Sequence, residues 1–308
     1  MASVNADPSA PQRPLRFGLV GTGYWARIAH APALASTPGI EFTAVWGRNP
    51  AAAQALADAH GAAAHTDLDE FLAGLDGVAF SVPPDVQSQI AVRAARAGKH
   101  LLLEKPIALS DEAAEAMAQA VAEAGVASVV FFIMRFQPES RQWLETVNSQ
   151  GGWKGGSAAW LASALSQTSP FNTPWRNEKG GLWDVGPHAI SLLWPALGPV
   201  EFVRADAGAA DLVHLVLHHR GGATSTVTLT LSAPEAADDF DLYVWGEHGR
   251  SAVPAEGRDP VECLRIALTE LIDNAHSGRQ THPCDVTFGW EVTRVLAQAQ
   301  RQLDDRAP

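Results

Sequence analysis

Apolar runs of strand length alternate with Ala-rich segments of helical length over the first part of the chain. The runs predict strands at residues 15–20, 41–46, 78–82, 100–103 and 126–134. Helices are predicted between them, at residues 26–34, 51–60, 85–97 and 111–125. Because the early strands are nearly continuous apolar runs, helices are expected to cover both of their faces. The pattern therefore predicts an α/β fold built on a doubly wound parallel sheet.

The pattern changes after residue 134. Shorter runs predict strands at residues 157–166, 200–205, 212–218, 224–231 and 241–244, and helices at 139–147, 181–197, 261–275 and 286–303. In the run 224–231, valine and leucine alternate with threonine, as expected for a strand with one buried face. This half predicts an α+β domain with an open, mostly antiparallel sheet. The chain is thus expected to divide into a disordered tail (1–14) and two domains (15–134 and 135–308).

The first predicted strand leads into a glycine turn with the sequence Gly21-Thr22-Gly23-Tyr24-Trp25-Ala26. Gly21 permits a tight turn, Gly23 lets a pyrophosphate approach the backbone, and Ala26 lets the next helix pack on the strand. The N-terminus of that helix offers unpaired N–H groups and the positive end of its dipole. The turn predicts a Rossmann-type dinucleotide site that includes Tyr24 and Trp25, although an ordinary glycine turn can have the same short sequence.

Features that suit a nucleotide site follow four of the predicted strands, at Gly21, Gly47, Pro83 and Lys105. Doubly wound sheets bind ligands outside the carboxyl ends of their strands. Because all four features lie at such ends, we expect them to meet in one crevice.

The residues after the second strand bear on the choice of nicotinamide cofactor. An NAD site usually has an acidic residue here, which bonds the ribose 2′-hydroxyl. Gly47 stands in its place and leaves room for a 2′-phosphate, with Arg48 and Asn49 next to it. Because an arginine can pair bidentately with a phosphate, the sequence favours NADP over NAD. The alternative is that Arg48 is a solvated turn residue.

Lys105, Asp184 and His188 carry the candidate chemistry. Lysine is unusual at the end of a buried parallel strand unless it faces the crevice, where Lys105 could exchange a proton with a substrate oxygen or donate a hydrogen bond to it. Asp184 and His188 are four residues apart and would share a face of one helix. The alternatives are a lysine that reaches solvent and a local contact at a helix start.

Three blocks of sequence resemble signatures of the glucose-fructose oxidoreductase and inositol dehydrogenase (Gfo/Idh/MocA) family. They are the glycine turn at residues 21–26, the block from Ala-Gly-Lys-His to Glu-Lys-Pro at 97–106, and Gly-Gly-Leu-Trp-Asp-Val-Gly-Pro-His at 180–188. The resemblance implies a Rossmann domain followed by a substrate-binding and oligomerisation domain. It also implies NAD or NADP as cofactor, and oxidation or reduction of hydroxyl and carbonyl groups, commonly on sugars, cyclitols or diols.

The resemblance implies roles for individual residues as well. His188 is the expected acid or base, with Lys105 and Asp184 assisting it. The expected cofactor contacts extend to Pro83, Gln87, Glu104 and Lys105. The expected substrate contacts are Lys105, Arg135, Trp175, Arg176, Asp184 and His188. No metal is implied. A homodimer or homotetramer is expected to form through the exposed face of the second sheet.

Three positions depart from the family pattern, and one of them, Gly47 in place of an acidic residue, is described above. Gln87 stands where the family often has a histidine, which changes the contacts expected near the nicotinamide. Ser191 stands where a further aspartate is common, which argues against a cyclitol-specific substrate.

Composition narrows the class of partner. The 308 residues include 22 Lys and Arg against 34 Asp and Glu, a formal charge of -12, which argues against nucleic acid and anionic membranes. No run reaches the roughly 18 apolar residues of a membrane span. The two cysteines, Cys263 and Cys284, suggest a reducing compartment. Because residues 1–14 also lack the apolar core of a secretory signal, we expect a cytoplasmic protein.

Two groups of residues in the second half leave alternatives open. A metal site at His214, His218 and His219 is not favoured, because no cysteine or carboxylate accompanies them at ligand spacing. The pattern does not decide which tryptophans line a pocket and which belong to the core, among Trp153, Trp160, Trp175 and Trp183.

The sequence as a whole predicts an NADP-dependent, or less favourably NAD-dependent, oxidoreductase. It would transfer hydride between a nicotinamide and a hydroxyl or carbonyl group of a sugar-like or other small polyol. One alternative is a sensor of the same fold that binds the nucleotide without chemistry. Another is a metal-dependent dehydrogenase, which a chelator would inactivate.

Overall fold

A computed structural model describes residues 13–254, 257 and 259–305 of the chain. The strands of its first sheet are β1 (Leu15–Val20), β2 (Ile40–Trp46), β3 (Ala63–His65), β4 (Gly77–Phe80), β5 (His100–Glu104) and β6 (Ser128–Phe131). All of them pair in parallel, in the order β3-β2-β1-β4-β5-β6. The chain reverses its direction of winding at β1, which is the point where such sheets bind ligands. The predicted doubly wound sheet is therefore confirmed.

The helices of this half are α1 (Ala31–Ser36), α2 (Pro50–His60), α3 (Leu68–Ala73), α4 (Pro84–Arg96) and α5 (Asp111–Ala124). A π-helical turn, Ala26–His30, precedes α1. The side chain of Ser110 accepts a hydrogen bond from the Ala113 N–H and caps α5, as its sequence position indicated. Gly61 and Gly125 end α2 and α5 with left-handed backbone, at φ 68° and 65°.

Local differences from the prediction arise where hydrophobicity is a poor guide to backbone shape. β3 and α3 were not predicted, because three residues such as Ala63–His65 give no periodic signal. The predicted strand 126–134 is wrong at its end. β6 stops at Phe131, and Ile133–Phe136 forms a 3₁₀ turn. Met134 and Phe136 of this turn are buried, as are the residues of β6.

The second sheet contains β7 (Trp153–Leu161), β8 (Val200–Ala207), β9 (Val213–His219), β10 (Thr224–Thr230), β11 (Asp239–Gly246) and β12 (Gly249–Ala252). Their order is β12-β11-β7-β10-β9-β8, and every pair is antiparallel except β7 with β10. This confirms the predicted open, mostly antiparallel sheet.

The helices of the second half are α6 (Pro138–Gln150), α7 (Pro174–Asp184), α8 (Gly186–Leu197), α9 (Pro260–Ser277) and α10 (Val286–Asp304). A short 3₁₀ turn, Glu235–Ala237, precedes β11. α8 covers one face of the second sheet, where a Cβ at Gly156 would lie 3.1 Å from Leu193 and 3.2 Å from Leu197. Exposed apolar side chains elsewhere on this sheet include Phe202, Val216 and Trp245. Assembly through this sheet stays a prediction.

The last two helices also pack on the first sheet. α9 contacts α1, β5 and β6, and α10 contacts α5, β6 and β8. A Cβ at Gly289 of α10 would lie 2.9 Å from both Ile107 and Val130, so the helix approaches the sheet closely. The division of the chain at residue 134 stays a prediction.

A partly buried charged cluster links α6 to α9. Both guanidinium nitrogens Nη1 and Nη2 of Arg141 bond the carboxylate of Glu270, and His282 Nε2 lies 2.9 Å from the same carboxylate. Burial alone would raise the pKa of Glu270, but the bonds from His282 and Arg141 outweigh it and lower the pKa to about 2.

The predicted tail falls mostly on residues 1–12, which lie outside the described residues. Arg13 is described, and its guanidinium makes two 2.9 Å hydrogen bonds to the carboxylate of Asp76. Among the residues that the structure describes, no helix is both long and apolar enough to cross a bilayer.

Candidate active site

The glycine turn after β1 has the shape that a nucleotide requires. Gly21 has a φ of 126°, and a Cβ there would lie 2.2 Å from the carbonyl oxygen of Ser81, so only glycine fits. In contrast, no heavy atom lies within 4 Å of the position of a Cβ on Gly23, which leaves space for a pyrophosphate. Helical backbone begins at Tyr24, and Ala26 is fully buried against the sheet.

A cavity of about 880 Å³ opens beside this turn and runs between the two halves of the chain. The predicted site residues that line it are Gly23, Tyr24, Trp25, Arg48, Pro83, Glu104, Lys105, Trp175, Arg176, Asp184 and His188. The structure therefore brings these predicted residues, though not all of the predicted contacts, to one place.

Lys105 reaches across the cavity from the end of β5 to the end of α7. Its Nζ atom donates hydrogen bonds to the backbone oxygen of Asp184 at 2.8 Å and to Oδ1 of the same residue at 3.0 Å. The Lys105–Pro106 peptide bond is cis. The lysine thus faces the crevice and does not extend into bulk solvent, since its side chain is only 11% exposed.

Asp184 is a buried carboxylate shared by two cations. Its Oδ2 atom accepts a 2.9 Å hydrogen bond from Arg176 Nε, while Oδ1 bonds Lys105. Burial would raise the pKa of Asp184, but the charges of Lys105 and Arg176 outweigh burial and hold the pKa far below its usual range. The Asp184 carboxylate is therefore ionised at neutral pH.

His188 is held as a neutral imidazole. Burial, then the positive charge of Lys105, lower its pKa well below the ordinary value of 6.5, and the opposing charge of Asp184 is a smaller effect. The ring stacks on Trp160, with centroids 5.1 Å apart and planes 25° from parallel. Its Nδ1 atom has no hydrogen-bond partner among the described residues.

The predicted helical pairing of Asp184 with His188 is wrong. α7 ends at Asp184 and α8 begins at Gly186, so the two side chains belong to different helices. Within the described residues no hydrogen bond joins them. Asp184 holds Lys105 and Arg176 instead, and the sequence signal of four-residue spacing did not reveal the break at Val185.

Glu104 belongs to a network that the sequence did not indicate. Its Oε1 atom accepts a 2.8 Å hydrogen bond from Trp25 Nε1 and lies 2.8 Å from Nε2 of His30. Its Oε2 atom accepts a 3.3 Å bond from the backbone N–H of Lys105. His30 is almost fully buried. The glycine turn and the end of β5 are thus tied together beside Lys105.

Phe171 joins the second half of the chain to the glycine turn and was also not predicted. Its ring makes edge-on contacts with Tyr24 at 5.6 Å and with Trp25 at 5.9 Å. The guanidinium of Arg176 lies over Phe171 at 5.4 Å and over Trp175 at 4.6 Å. The loop before α7 therefore forms a wall shared by the nucleotide turn and the cavity.

Of the three predicted determinants of cofactor choice, Arg48 lines the cavity, whereas Gly47 and Asn49 do not. Arg48 is exposed and lines the cavity. Gly47 lies behind it, where a Cβ would approach Cγ2 of Thr22 to 2.7 Å, so a larger acidic side chain does not fit without movement. Asn49 does not line the cavity; its side chain caps α2 by accepting a bond from the Ala52 N–H.

Two further expectations are corrected by the structure. Gln87 does not line the cavity: it is fully buried, and its amide bonds the backbone of Glu104, Pro106 and Ile107. It therefore anchors the segment that carries Lys105. Arg135 does not line the cavity either, because its guanidinium donates to the carbonyl of Ser191 and lies over the ring of Phe288.

The tryptophans of the second half separate clearly. Trp160 and Trp175 line the cavity. Trp183 is buried and donates to Gln300, and Trp153 donates to the carbonyl of Val147. The buried hydroxyl of Ser191, another departure from the family pattern, donates to the carbonyl of His188.

The histidines of the second sheet do not converge. His214 lies 3.1 Å from the hydroxyl of Thr228, His218 contacts Phe202, and His219 is buried between Gly198 and Ser225. In the part of the chain that the structure describes, no three His, Cys, Asp or Glu residues form a group that could hold a metal ion.

Two family models match the chain. The GFO/IDH/MocA model described as "Oxidoreductase family, NAD-binding Rossmann fold" matches residues 15–132. The model of the GFO/IDH/MocA C-terminal domain matches residues 154–252.

Individual proteins match over most of their length. The 4-carboxy-2-hydroxymuconate-6-semialdehyde dehydrogenase of Sphingobium sp. is 32% identical over 94% of this chain and 99% of the relative. Inositol 2-dehydrogenase of Rhizobium meliloti is 26% identical over 80% of this chain and 77% of the relative. The crystal structure of GenD2 from gentamicin A biosynthesis, in complex with NAD, superposes with a TM-score of 0.84 over 96% of both chains. Its identity is 22%, so this likeness concerns the fold alone.

Proposed function

The chain belongs to the GFO/IDH/MocA oxidoreductase family, and on that premise we propose that it is an NAD(P)-dependent dehydrogenase or reductase of a sugar-like or other small hydroxylated substrate. The observation that carries the proposal is the meeting of Lys105, Asp184 and His188 in the cavity beside the glycine turn. When bound, a nicotinamide cofactor accepts or supplies the hydride.

Lys105 holds the oxygen of the substrate. An ammonium group has three N–H donors, and Asp184 takes two of them through its backbone oxygen and Oδ1. The third remains for the substrate. Because the positive charge lies next to that oxygen, it also stabilises the negative charge that develops there during oxidation.

His188 handles the proton. A neutral imidazole can accept the proton of a substrate hydroxyl and return it in the reverse reaction. The nearby charge of Asp184 favours the protonated ring and so offsets part of the cost of forming it. Trp160 stacks on the ring and fixes its orientation, while Arg176 and Lys105 keep Asp184 in place.

We further propose NADP as the preferred cofactor. Gly47 excludes the acidic side chain typical of NAD sites, and the exposed guanidinium of Arg48 lies at the cavity edge, where it can meet a 2′-phosphate. Trp25, Pro83 and Glu104 line the same side of the cavity and supply further cofactor contacts.

The test is the change in NADPH fluorescence on mixing the protein with a panel of sugar-like carbonyl compounds. Oxidation of NADPH by at least one of them, and reduction of NADP⁺ by the matching alcohol, is the expected result. Tight NADPH binding without oxidation by any compound would contradict the enzyme and favour a nucleotide sensor. Activity that a chelator removes would favour the metal-dependent alternative.

Family membership leaves the substrate open. By name, the two relatives described above act on inositol and on 4-carboxy-2-hydroxymuconate-6-semialdehyde, which are chemically different. The cavity of this chain has to be considered on its own.

A further inference from the structure

The cavity wall around Lys105 and His188 is mostly apolar. Its large side chains are Phe131, Ile133, Trp160, Phe171, Trp175 and Leu231. Among the described residues, no asparagine or glutamine lines the cavity, and the lining residues with a neutral hydroxyl are Tyr24, Ser81 and Thr173. A buried hydroxyl without a partner costs about 1–3 kcal/mol, so a substrate with many hydroxyls suits this wall poorly. The wall suits a substrate with an apolar face and few hydroxyls.

Arg176 is one of the charged side chains in this wall, and its guanidinium is held in a fixed orientation. Nε bonds Asp184 at 2.9 Å, and the plane lies over both Trp175 and Phe171. The edge formed by Nη1 and Nη2 is nearly free. Nη1 has only a 3.4 Å contact with Thr173, and Nη2 donates no hydrogen bond to the described part of the chain. A planar edge with two donors matches a carboxylate.

The charges near Arg176 leave a place for an anion. Asp184 is shared by Lys105 and Arg176, so one positive charge of these three groups is unbalanced. Glu104 is also negative, but its side chain bonds Trp25 and His30 on the side of the glycine turn, and no hydrogen bond among the described residues joins it to Arg176. Lys179 also lines the cavity, but Glu178 pairs with it at 2.9 Å.

We propose that Arg176 binds a carboxylate of the substrate, and that the substrate is therefore a hydroxy acid, or the corresponding oxo acid, with an apolar ring or chain and few further hydroxyls. The inference rests on the proposed dehydrogenase function, because the reacting carbon must lie between Lys105 and His188. The carboxylate does not react. Its pairing with Arg176 holds the alcohol that is oxidised at a fixed distance from that residue.

The first test measures binding, so that it does not depend on turnover. The probes are isomers of hydroxycyclohexanecarboxylate, their neutral carboxamides, myo-inositol and xylose, titrated by calorimetry into protein saturated with NADP⁺. The expected result is that at least one carboxylate binds about tenfold or more tightly than its carboxamide and than either polyol. Equal affinity for acid and amide, or tighter binding of a polyol, would overturn the inference.

The two proposals fail in different ways. If a polyol is bound and turned over best, the dehydrogenase stands and the carboxylate site is lost. If acids bind tightly but neither they nor the carbonyl panel react with the cofactor, the carboxylate site stands and the dehydrogenase is lost.

Variants then assign the effect to Arg176. Arg176→Gln should remove the preference for the acid over the amide, whereas the control Lys179→Gln, a cation in the same wall, should keep it. An unchanged preference in Arg176→Gln would overturn the assignment. If that variant does not fold, Arg176→Lys is used instead, because it retains the charge without the planar edge. This variant should show an intermediate preference for the acid. A full preference would count against a carboxylate bound by the planar edge of Arg176.

Discussion

Nζ of Lys105 lies 3.0 Å from Oδ1 of Asp184, and this ion pair joins the end of β5 to the end of α7. The two residues come from opposite halves of the chain, and both are nearly buried. The pair therefore fixes the position of the proposed reaction site relative to both halves. Substitutions at Lys105, His188 and Arg48 should have separable effects on turnover, on its pH dependence and on cofactor binding.

Replacing Lys105 with Ala should lower kcat by about 10²- to 10⁴-fold, because the substrate oxygen loses its donor and the charge next to it. The dissociation constant of the cofactor should change by less than about threefold, since Gly23 and Arg48 do not depend on the lysine. Steady-state kinetics and fluorescence titration give the two values. Lys105→Arg is the control that keeps the charge; turnover of Lys105→Ala at the original rate would refute the role.

The pH dependence of kcat/KM should reflect the neutral His188. Because burial and the charge of Lys105 hold its pKa well below 6.5, the base form persists as the pH falls through that value. The acidic limb of the profile should therefore lie below pH 6.5, and it should disappear in His188→Gln together with most of the activity. Trp160→Ala admits water to the ring and should move the limb to higher pH. A limb at an ordinary imidazole pKa in the unmodified protein would contradict this view.

Arg48→Gln should weaken NADP⁺ binding by about 10- to 100-fold and leave NAD⁺ binding nearly unchanged, because a charge-assisted pair with the 2′-phosphate is lost. Arg204→Gln, an exposed arginine that does not line the cavity, is the matched control. Titration with both dinucleotides decides the matter. Equal losses for the two cofactors would mean that Arg48 does not distinguish them.

Glu270→Gln should lower the free energy of unfolding by about 2 kcal/mol at neutral pH, since the bonds to Arg141 and His282 favour the ionised carboxylate. The pKa of Glu270 is lowered from 4.5 to about 2, so its contribution is complete above pH 4.5 and is lost as the pH falls towards 2. Urea unfolding at several pH values should show the two proteins converging in acid. Glu201→Gln, which removes a solvent-exposed ion pair with Arg220, should have almost no effect.

The features that were found from the sequence are those that a short motif determines. Gly21 and Gly23 mark a turn that only glycine can make or leave open, and the Glu-Lys-Pro block places Lys105 at a strand end, so both were found. The fold class followed in the same way from the change of apolar pattern near residue 134. The direction of winding at β1 then brings these ends to one edge.

Side chains that depend on tertiary packing were not found, or were assigned wrongly. Phe171 and His30 meet their partners only after distant segments pack together. Gln87 and Arg135 are polar residues next to motifs, yet both bond backbone carbonyls and neither lines the cavity. A spacing of four residues likewise could not reveal that α7 and α8 are separate helices.

The packing of α9 and α10 on the first sheet has a consequence for biosynthesis. Translation completes β5 and β6 long before residues 260–304 leave the ribosome, and Leu102 and Val130 of these strands are fully buried in the finished protein. Until the carboxyl-terminal helices emerge, the nascent chain exposes the apolar surface that they later cover. Chaperones bind such surfaces, and such surfaces promote aggregation. The first sheet can therefore finish folding only after residues 260–304 have left the ribosome, and not when its sixth strand has been made.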